Sequence, residues 1–405
     1  MSKLWQLPLG DLIELQRGFD LPKTNFVIGS IPVIASNGIL GFHNKHKVLG
    51  PGVTIGRSGT VGIPRYIKDD FFPHNTTLFV ANFKNNIPQY IYYLLQTLKL
   101  HDRKSGSGVP TMNRNHLYPL VVSAYLDKDA QKKIAHVLSS LDSKIELNNR
   151  INTELEAMAK TIYDYWFVQF DFPTSKEIAL AQNKPHLIGK PYKSSGGKMV
   201  WNEQLKREIP LGWMIERLDS IESNIITGKT PPTNNKDFFG NDIPFITIGD
   251  IRGNIYIIDT ETKLSKLGAD IQKNKFIPAG AICISCIATT GLIGFASTES
   301  QTNQQINSIV CKHEHNRYYL YFALNNYFKF LYGVKSGNTF ANMNKEDFSS
   351  IVLLSPKDIM LLVKFSKILN PIMQKICNNS NEIKHCITLR DWLLPMLMNG
   401  QVKVK

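Results

Sequence analysis

Apolar positions along the chain change period several times, and the longest regular stretch is a heptad seam. Ile134, Leu138, Leu141, Ile145, Asn148, Asn152, Leu155, Ala159, Ile162 and Trp166 alternate spacings of four and three, the pattern of a long packing helix. Roughly 40 residues at about 1.5 Å each predict a rod of about 60 Å. Adding 231 to each number gives Phe365, Leu369, Ile372, Ile376, Asn379, Ile383, Cys386, Arg390, Leu393 and Leu397, so the seam recurs near the C-terminus. Asn148 and Asn379 repeat a mid-seam polar position that costs stability but can fix the register of paired helices. The two rods are expected to pack antiparallel.

Before the first rod the period is short. Ile31–Ile34, Gly52–Ile55 and Thr77–Val80 read as strands among Gly, Pro and Asn, and residues 88–101 as a helix opening at Pro88. The second half repeats much of this: Leu7-Pro-Leu-Gly10 returns as Ile209-Pro-Leu-Gly212, Ile31-Pro-Val-Ile34 as Ile243-Pro-Phe-Ile246, and the Thr54–Arg57 region near Ser285. From Ser105 against Ser336 onward the offset is constant at 231, whereas before it the halves differ in length and content. The expected fold is therefore α+β. Two mixed α/β heads, 1–126 and 209–356, alternate with long helices, 127–170 and 357–400. A linker, 171–208, joins the halves, and an internal pseudo-two-fold relates them.

Charge narrows the partner. Lys and Arg number 47 against 33 Asp and Glu, a formal charge of +14 over 405 residues, which points to a polyanion such as nucleic acid. No run of 18 uncharged apolar residues suggests a membrane span and Met1–Gly10 has no signal-like apolar core, while five cysteines fit free thiols in the cytoplasm. Two non-identical heads on one chain predict a bipartite, asymmetric double-stranded DNA site, with the rods setting its spacer.

Candidate contacts follow from residue chemistry. Arg57, Ser58 and Thr60 combine a cation, hydroxyls and neighbouring glycines, and Lys229 and Thr230 form a basic turn after Gly228. The polar loops before the rods repeat Lys104, Ser105, Ser107, Asn113 and Arg114 as Lys335, Ser336, Asn338, Asn344 and Lys345. Asn75 and the run Asn303, Gln304 and Gln305 carry amides able to pair with adenine in the major groove. Each group also has a plainer reading as turn, cap or solvated loop.

Other motifs carry less. Gly228-Lys229-Thr230 resembles the end of a phosphate-binding loop, but the required first glycine is Ser223. Cys283 and Cys286, with Cys311, His313 and His315 downstream, raise zinc, yet in a strand residues three apart face opposite sides. Asp250, Glu261 and Lys263 superficially suggest a nuclease triad. The Asn/Asp-Pro-Pro-Tyr/Phe tetrapeptide of an amino-methyltransferase is absent. No catalytic residue, metal site or bound cofactor is expected.

Taken together, the paired rods, Phe170-Asp-Phe-Pro173, Gly189–Gly197, Trp201-Asn202, Ile209–Trp213, Gly228–Pro232, Ile243–Ile251, Thr302–Gln305 and Leu389–Pro395 resemble the specificity (S) subunits of Type I restriction-modification enzymes. That resemblance implies two target recognition domains separated by an antiparallel coiled coil. It also implies methyltransferase (M) subunits, two in number, and restriction (R) subunits joined through the complex, which bring S-adenosylmethionine, ATP and Mg chemistry of their own. The aromatic cluster Tyr163, Trp166 and Phe167, with Trp392 and Leu393 on the second rod, is the expected M-docking surface. Two other classes stay open: a coiled-coil adaptor without sequence preference, and a self-sufficient nuclease or methyltransferase.

Overall fold

The computed structural model describes residues 3–103, 111–334 and 342–404. It divides into two compact units, residues 1–146 with 385–405 and residues 147–384.

In the first unit β1 (Leu4–Pro8) and α1 (Leu9–Leu12) lead into β2 (Glu14–Arg17), β3 (Ile31–Ala35), β4 (Gly38–His43) and β5 (Gly52–Gly56). β6 (Pro64–Ile67), β7 (Phe72–Pro73), β8 (Thr77–Asn82), α2 (Pro88–Thr97) and β9 (Val121–Tyr125) follow, before the long α3 (Lys128–Tyr163). The strands form sheets in the orders β2-β8-β5-β6 and β4-β3-β7, with β1 antiparallel to β9. Val53, Ile55, Leu78 and Val80 on the larger sheet meet Tyr90, Ile91 and Leu94 of α2 in a core closed by Ile134 and Leu138 of α3.

The second unit continues with α4 (Lys176–Ala181), β10 (Met199–Asn202), β11 (Arg207–Pro210), β12 (Trp213–Arg217), α5 (Leu218–Ile221) and β13 (Ile225–Thr227). Next come β14 (Phe239–Ile246), α6 (Ile248–Ile251), β15 (Tyr256–Ile257), β16 (Thr262–Leu264), α7 (Lys266–Asp270), β17 (Ile282–Ser285) and β18 (Ile293–Ala296). β19 (Gln301–Thr302), β20 (Ile306–Ile309), α8 (Glu314–Val334), α9 (Lys345–Ser349), β21 (Val352–Pro356) and the long α10 (Ile359–Met398) complete it. Its sheets run β13-β20-β17-β18-β15 and β16-β14-β19, with β12 antiparallel to β21.

The topology of the first unit is thus repeated. β15 is an added edge strand, and residues 247–280 replace the shorter 35–51 of the first unit, which carries β4. That insertion moves the offset between halves from 212 to 229. One expected correspondence is displaced. Leu9 N–H donates to Leu120 O at 2.8 Å and Leu218 N–H to Ile351 O at 2.7 Å, so the partner of Leu9 is Leu218. The similar tetrapeptides at 7–10 and 209–212 are therefore not equivalent in the fold, because the strand pairing makes β12, not the preceding turn, the counterpart of β1.

α3 has 36 residues and α10 has 40. None of the 20 seam positions named above is classed as exposed. In the second unit the helices run antiparallel: Asn148 Nδ2 donates to Glu382 Oε2 at 2.9 Å, Asn379 Nδ2 to Asn152 Oδ1 at 2.9 Å, and Asn152 Nδ2 to Ser380 Oγ at 3.3 Å. Asn148 and Asn379 are 2% and 1% exposed. They pair with residues on the facing helix rather than with each other, and a one-turn slip would strand buried amides. In the first unit Arg390 Nη1 bonds Asp142 Oδ1 at 2.9 Å while Tyr93 OH donates to Asp142 Oδ2 at 2.5 Å, tying α10, α3 and α2.

Residues 171–208, expected as the linker, are folded onto the second unit. Phe172 stacks on Tyr192 at 4.7 Å and on Trp213 at 5.5 Å, Ser175 Oγ caps α4, and β10 pairs with β11.

Candidate nucleic-acid interface

Each head holds two loops together through backbone contact. In the first, Gly18 N–H donates to Thr77 O at 3.0 Å and Phe19 N–H to Pro73 O at 2.8 Å. In the second, Gly228 N–H donates to Ile306 O at 3.0 Å and Lys229 N–H to Thr302 O at 2.9 Å. A Cβ on Gly18 would lie 2.1 Å from His74 O, and one on Gly228 would lie 2.1 Å from Asn303 O. Close approach therefore demands glycine in both places.

A second pair of crossings is repeated as closely. Arg57 N–H donates to Thr76 O at 2.8 Å and Arg57 O accepts from Met112 N–H at 2.9 Å. Cys286 N–H donates to Gln305 O at 2.8 Å and Cys286 O accepts from Met343 N–H at 2.9 Å. The two heads share this backbone lattice to within about 0.1 Å. Their side chains on it differ: Phe19 answers Lys229, Asp20 answers Thr230, Arg57 answers Cys286, His74 answers Asn303, Asn75 answers Gln304, and Thr76 answers Gln305. Pairwise identity at these points is nil, although the flanking sequence places the Thr54–Arg57 region near Ser285.

The lattice gathers the expected residues. Arg57, Ser58, Asn75, Asn113 and Arg114 belong to one region of the first head, because Ser58 bridges Thr111 and its N–H bonds Thr76 O. A cleft of about 510 Å³ there is lined by Gln16, Arg17, Arg57, Thr111, Asn113 and Arg114 among others. Three guanidinium groups around one cleft make an anion-attracting surface. The Arg57 side chain makes no hydrogen bond or ion pair among the described residues, whereas Arg114 Nη1 donates to Leu15 O at 2.9 Å and Arg17 bonds Asp20 at 3.2 Å. Gln16 and Arg17 were missed in the sequence, where they lie in an unremarkable short strand. Thr60 is exposed at the turn after Arg57.

In the second head Lys229, Thr230, Asn303, Gln304 and Gln305 converge likewise. Thr230 Oγ1 donates to Gln304 Oε1, and Asn303 Nδ2 donates to Gln305 Oε1 at 3.1 Å. Asn113 and Asn344 act locally as helix caps, their side chains accepting from Asn115 N–H at 3.0 Å and Asp347 N–H at 2.9 Å. Lys345 is exposed in the first turn of α9. Lys104, Ser105, Ser107, Lys335, Ser336 and Asn338 lie outside the described residues.

The other motifs resolve into structure. Asp250 caps α6, accepting from Thr247 N–H at 2.7 Å and from Glu261 N–H at 2.9 Å, so its carboxylate is committed. Cys283 is buried against Ser308 Oγ and Cys286 against Asn307 Nδ2, and burial pushes the two thiols up to about 12 and about 11. Among the described residues no group of three or more His, Cys, Asp or Glu is placed to hold a metal. No helix there is long and apolar enough to cross a membrane.

The expected docking cluster is corrected. Tyr163, Trp166 and Phe167 are each 5% exposed; Phe167 packs on Phe365 at 4.8 Å, on Tyr319 at 5.1 Å and on Tyr163 at 5.2 Å. The rod ends in a π-helical turn, Asp164–Val168, that turns these rings into the core of the second unit and leaves Tyr165 and Val168 outside. On α10 Leu393 is half-buried, while Trp392 is 56% exposed.

Comparison with known proteins agrees with this architecture. A family model described as the Type I restriction modification DNA specificity domain matches residues 3–157 and again 210–384. The HindI specificity subunit of Haemophilus influenzae, a Type I restriction enzyme subunit, is 36% identical over 313 residues, covering 68% of each chain. The MjaIX specificity subunit of Methanocaldococcus jannaschii is 27% identical over 340 residues, covering 80% of this chain and 72% of its own. The crystal structure of the S subunit from M. genitalium superimposes with a TM-score of 0.64 over 98% of this chain and 96% of that one, at 16% identity, a likeness of fold. Two matches of the family model and a relative at 36% identity place the chain in the Type I restriction modification DNA specificity family, the non-catalytic specificity subunits of Type I restriction enzymes.

Proposed function

We propose that the chain reads a bipartite, asymmetric DNA sequence, one half-site per head, and carries that choice to subunits that do the chemistry. The observation behind this is the repeated lattice: identical backbone crossings present different side chains, the arrangement expected if one reading platform serves two unlike half-sites. Affinity comes largely from Lys and Arg on phosphates, and sequence choice from the amides, hydroxyls and Arg57 on base edges.

The long helices set the spacer and offer the surface for methyltransferase subunits, with restriction subunits joining through the complex. Leu389 and Trp392, 45% and 56% exposed and three residues apart on α10, supply an apolar contact in place of the buried aromatic cluster. Met158, at the position 231 before Leu389, is 52% exposed on α3. A repeated contact of this kind suits two copies of one partner. S-adenosylmethionine, ATP and Mg belong to those partners, and this chain binds none of them. Five free cysteines and a DNA partner fit the cytoplasm.

Exchanging residues 209–356 for the corresponding head of another family member, followed by sequencing of methylated bases in the host genome, tests the reading. One half of the methylated sequence changes and the other stays. A change in both halves, or in neither, refutes it.

A further inference from the structure

The lattice fixes more than loop position. Two residues after Gly18, Asp20 reaches the amide of Asn75; two residues after Gly228, Thr230 reaches the amide of Gln304. These are the same two positions in the two heads, since Gly18 answers Gly228 and Asn75 answers Gln304 through the crossings described above. All four side chains are exposed or half-buried. Each head therefore carries one amide, clamped by one short side chain, at the outer edge of a rigid loop pair.

In the first head the chemistry of the clamp fixes which way the amide faces, and in the second the observed bond sets it. An ionised carboxylate only accepts, so Asn75 must turn its NH2 towards Asp20, and its Oδ1 is left facing outward as an acceptor beside a negative charge. Asp20 is held in turn by Arg17, 3.2 Å away. In the second head the Thr230 hydroxyl donates to Gln304 Oε1, which leaves the Gln304 NH2 with both hydrogens outward. The two heads thus offer opposite hydrogen-bonding polarity from equivalent points.

We infer that Asp20 with Asn75, and Thr230 with Gln304, are equivalent base-reading pairs of opposite polarity. The first takes the amino-bearing edge of cytosine or adenine, and the second takes an acceptor edge, guanine O6/N7 or thymine O4. An outward carboxylate and carbonyl repel phosphate, so the first pair is unsuited to backbone contact and suited to a base amino group. The inference rests on the bipartite reading proposed above.

The test uses the full chain in its natural complex, in a host lacking its own copy, with sequencing of methylated bases. The parental chain comes first: a parental motif that is not bipartite ends the underlying reading, whatever the variants do. Given a bipartite motif, the exchange Asp20→Thr with Asn75→Gln changes or relaxes one position in a single half-site, the methylated fraction at the parental sequence falling about tenfold or more. Thr230→Asp with Gln304→Asn does the same in the other half-site alone. Asp20→Asn, which keeps size and hydrogen bonding at a surface position while freeing the amide to turn, relaxes the same position as the first exchange and guards against a folding defect. An unchanged motif at parental methylation in all three variants overturns the inference, as does a change in the half-site of the opposite head.

Discussion

Gln131 joins the first head to its rod, and its removal has a calculable cost. The side chain is 0% exposed; Oε1 accepts from Ile87 N–H at 2.8 Å, and Nε2 donates to Asn86 Oδ1 at 2.7 Å and to Tyr125 O at 2.7 Å. Ile87 N–H opens α2 and Tyr125 O ends β9, so one amide couples helix, strand and rod. Gln131→Leu is close in volume, and the position 231 later is Leu362, 4% exposed in its own core, so leucine fits a site of this kind. What the substitution changes is hydrogen bonding. Asn86 is half-buried and can turn to water, leaving Ile87 N–H and Tyr125 O unpaired at about 1–3 kcal/mol each. Burial of the leucine methyls returns about 1–2 kcal/mol. At mid-range values the net loss is about 2–3 kcal/mol. Urea unfolding of the full chain, followed by a signal from the first unit such as Trp5 fluorescence, measures it. Lys132→Ala at the adjacent exposed position serves as the control and stays within about 0.5 kcal/mol. A Gln131→Leu chain as stable as its parent would show that the three bonds contribute nothing net and that apolar packing alone seats the head.

Two further predictions concern charge. Arg57→Ala removes a side chain with no partner among the described residues, so the melting temperature holds while DNA affinity at matched salt falls about 5–150-fold if the guanidinium reads guanine. If it instead sits on a phosphate, the slope of log affinity against log salt drops by about 0.9; neither effect would remove Arg57 from the interface. Asp259 is partly desolvated, which alone raises its pKa, yet hydrogen bonds from Lys384 at 2.6 Å and Lys263 at 3.0 Å hold it down at about 2. A carboxylate with a lowered folded value stabilises above its ordinary range near pH 4 and loses that contribution as pH falls towards 2. With 35% of the side chain exposed, screening limits the effect to about 1 kcal/mol. The stability gap between parent and Asp259→Asn, followed by urea titration, therefore narrows below about pH 4, and a gap that widens on acidification contradicts the pairing.

Much of this protein was legible in one dimension because its main signals are local and periodic. A heptad seam needs only a helix to express it, so the rods, their 231-residue repeat and the polar break at Asn148 and Asn379 were visible in residue order. Duplication of Ile31–Ile34 as Ile243–Ile246 was visible too, since strand and turn chemistry survive where side chains matter to the core. The tertiary structure decided what depends on distant partners. Tyr163, Trp166 and Phe167 have the composition of a docking face, but the π-helical turn and the aromatic rings of α8 and α10 take them into the core. Leu7-Pro-Leu-Gly10 resembles Ile209-Pro-Leu-Gly212, yet strand pairing aligns Leu9 with Leu218. Arg57 and Cys286 share no chemistry and still occupy one position, because only backbone hydrogen bonds define it. The sequence by itself determined the scaffold and its repetition; which side chains occupy equivalent places in the two heads was decided by two glycines that let remote loops touch.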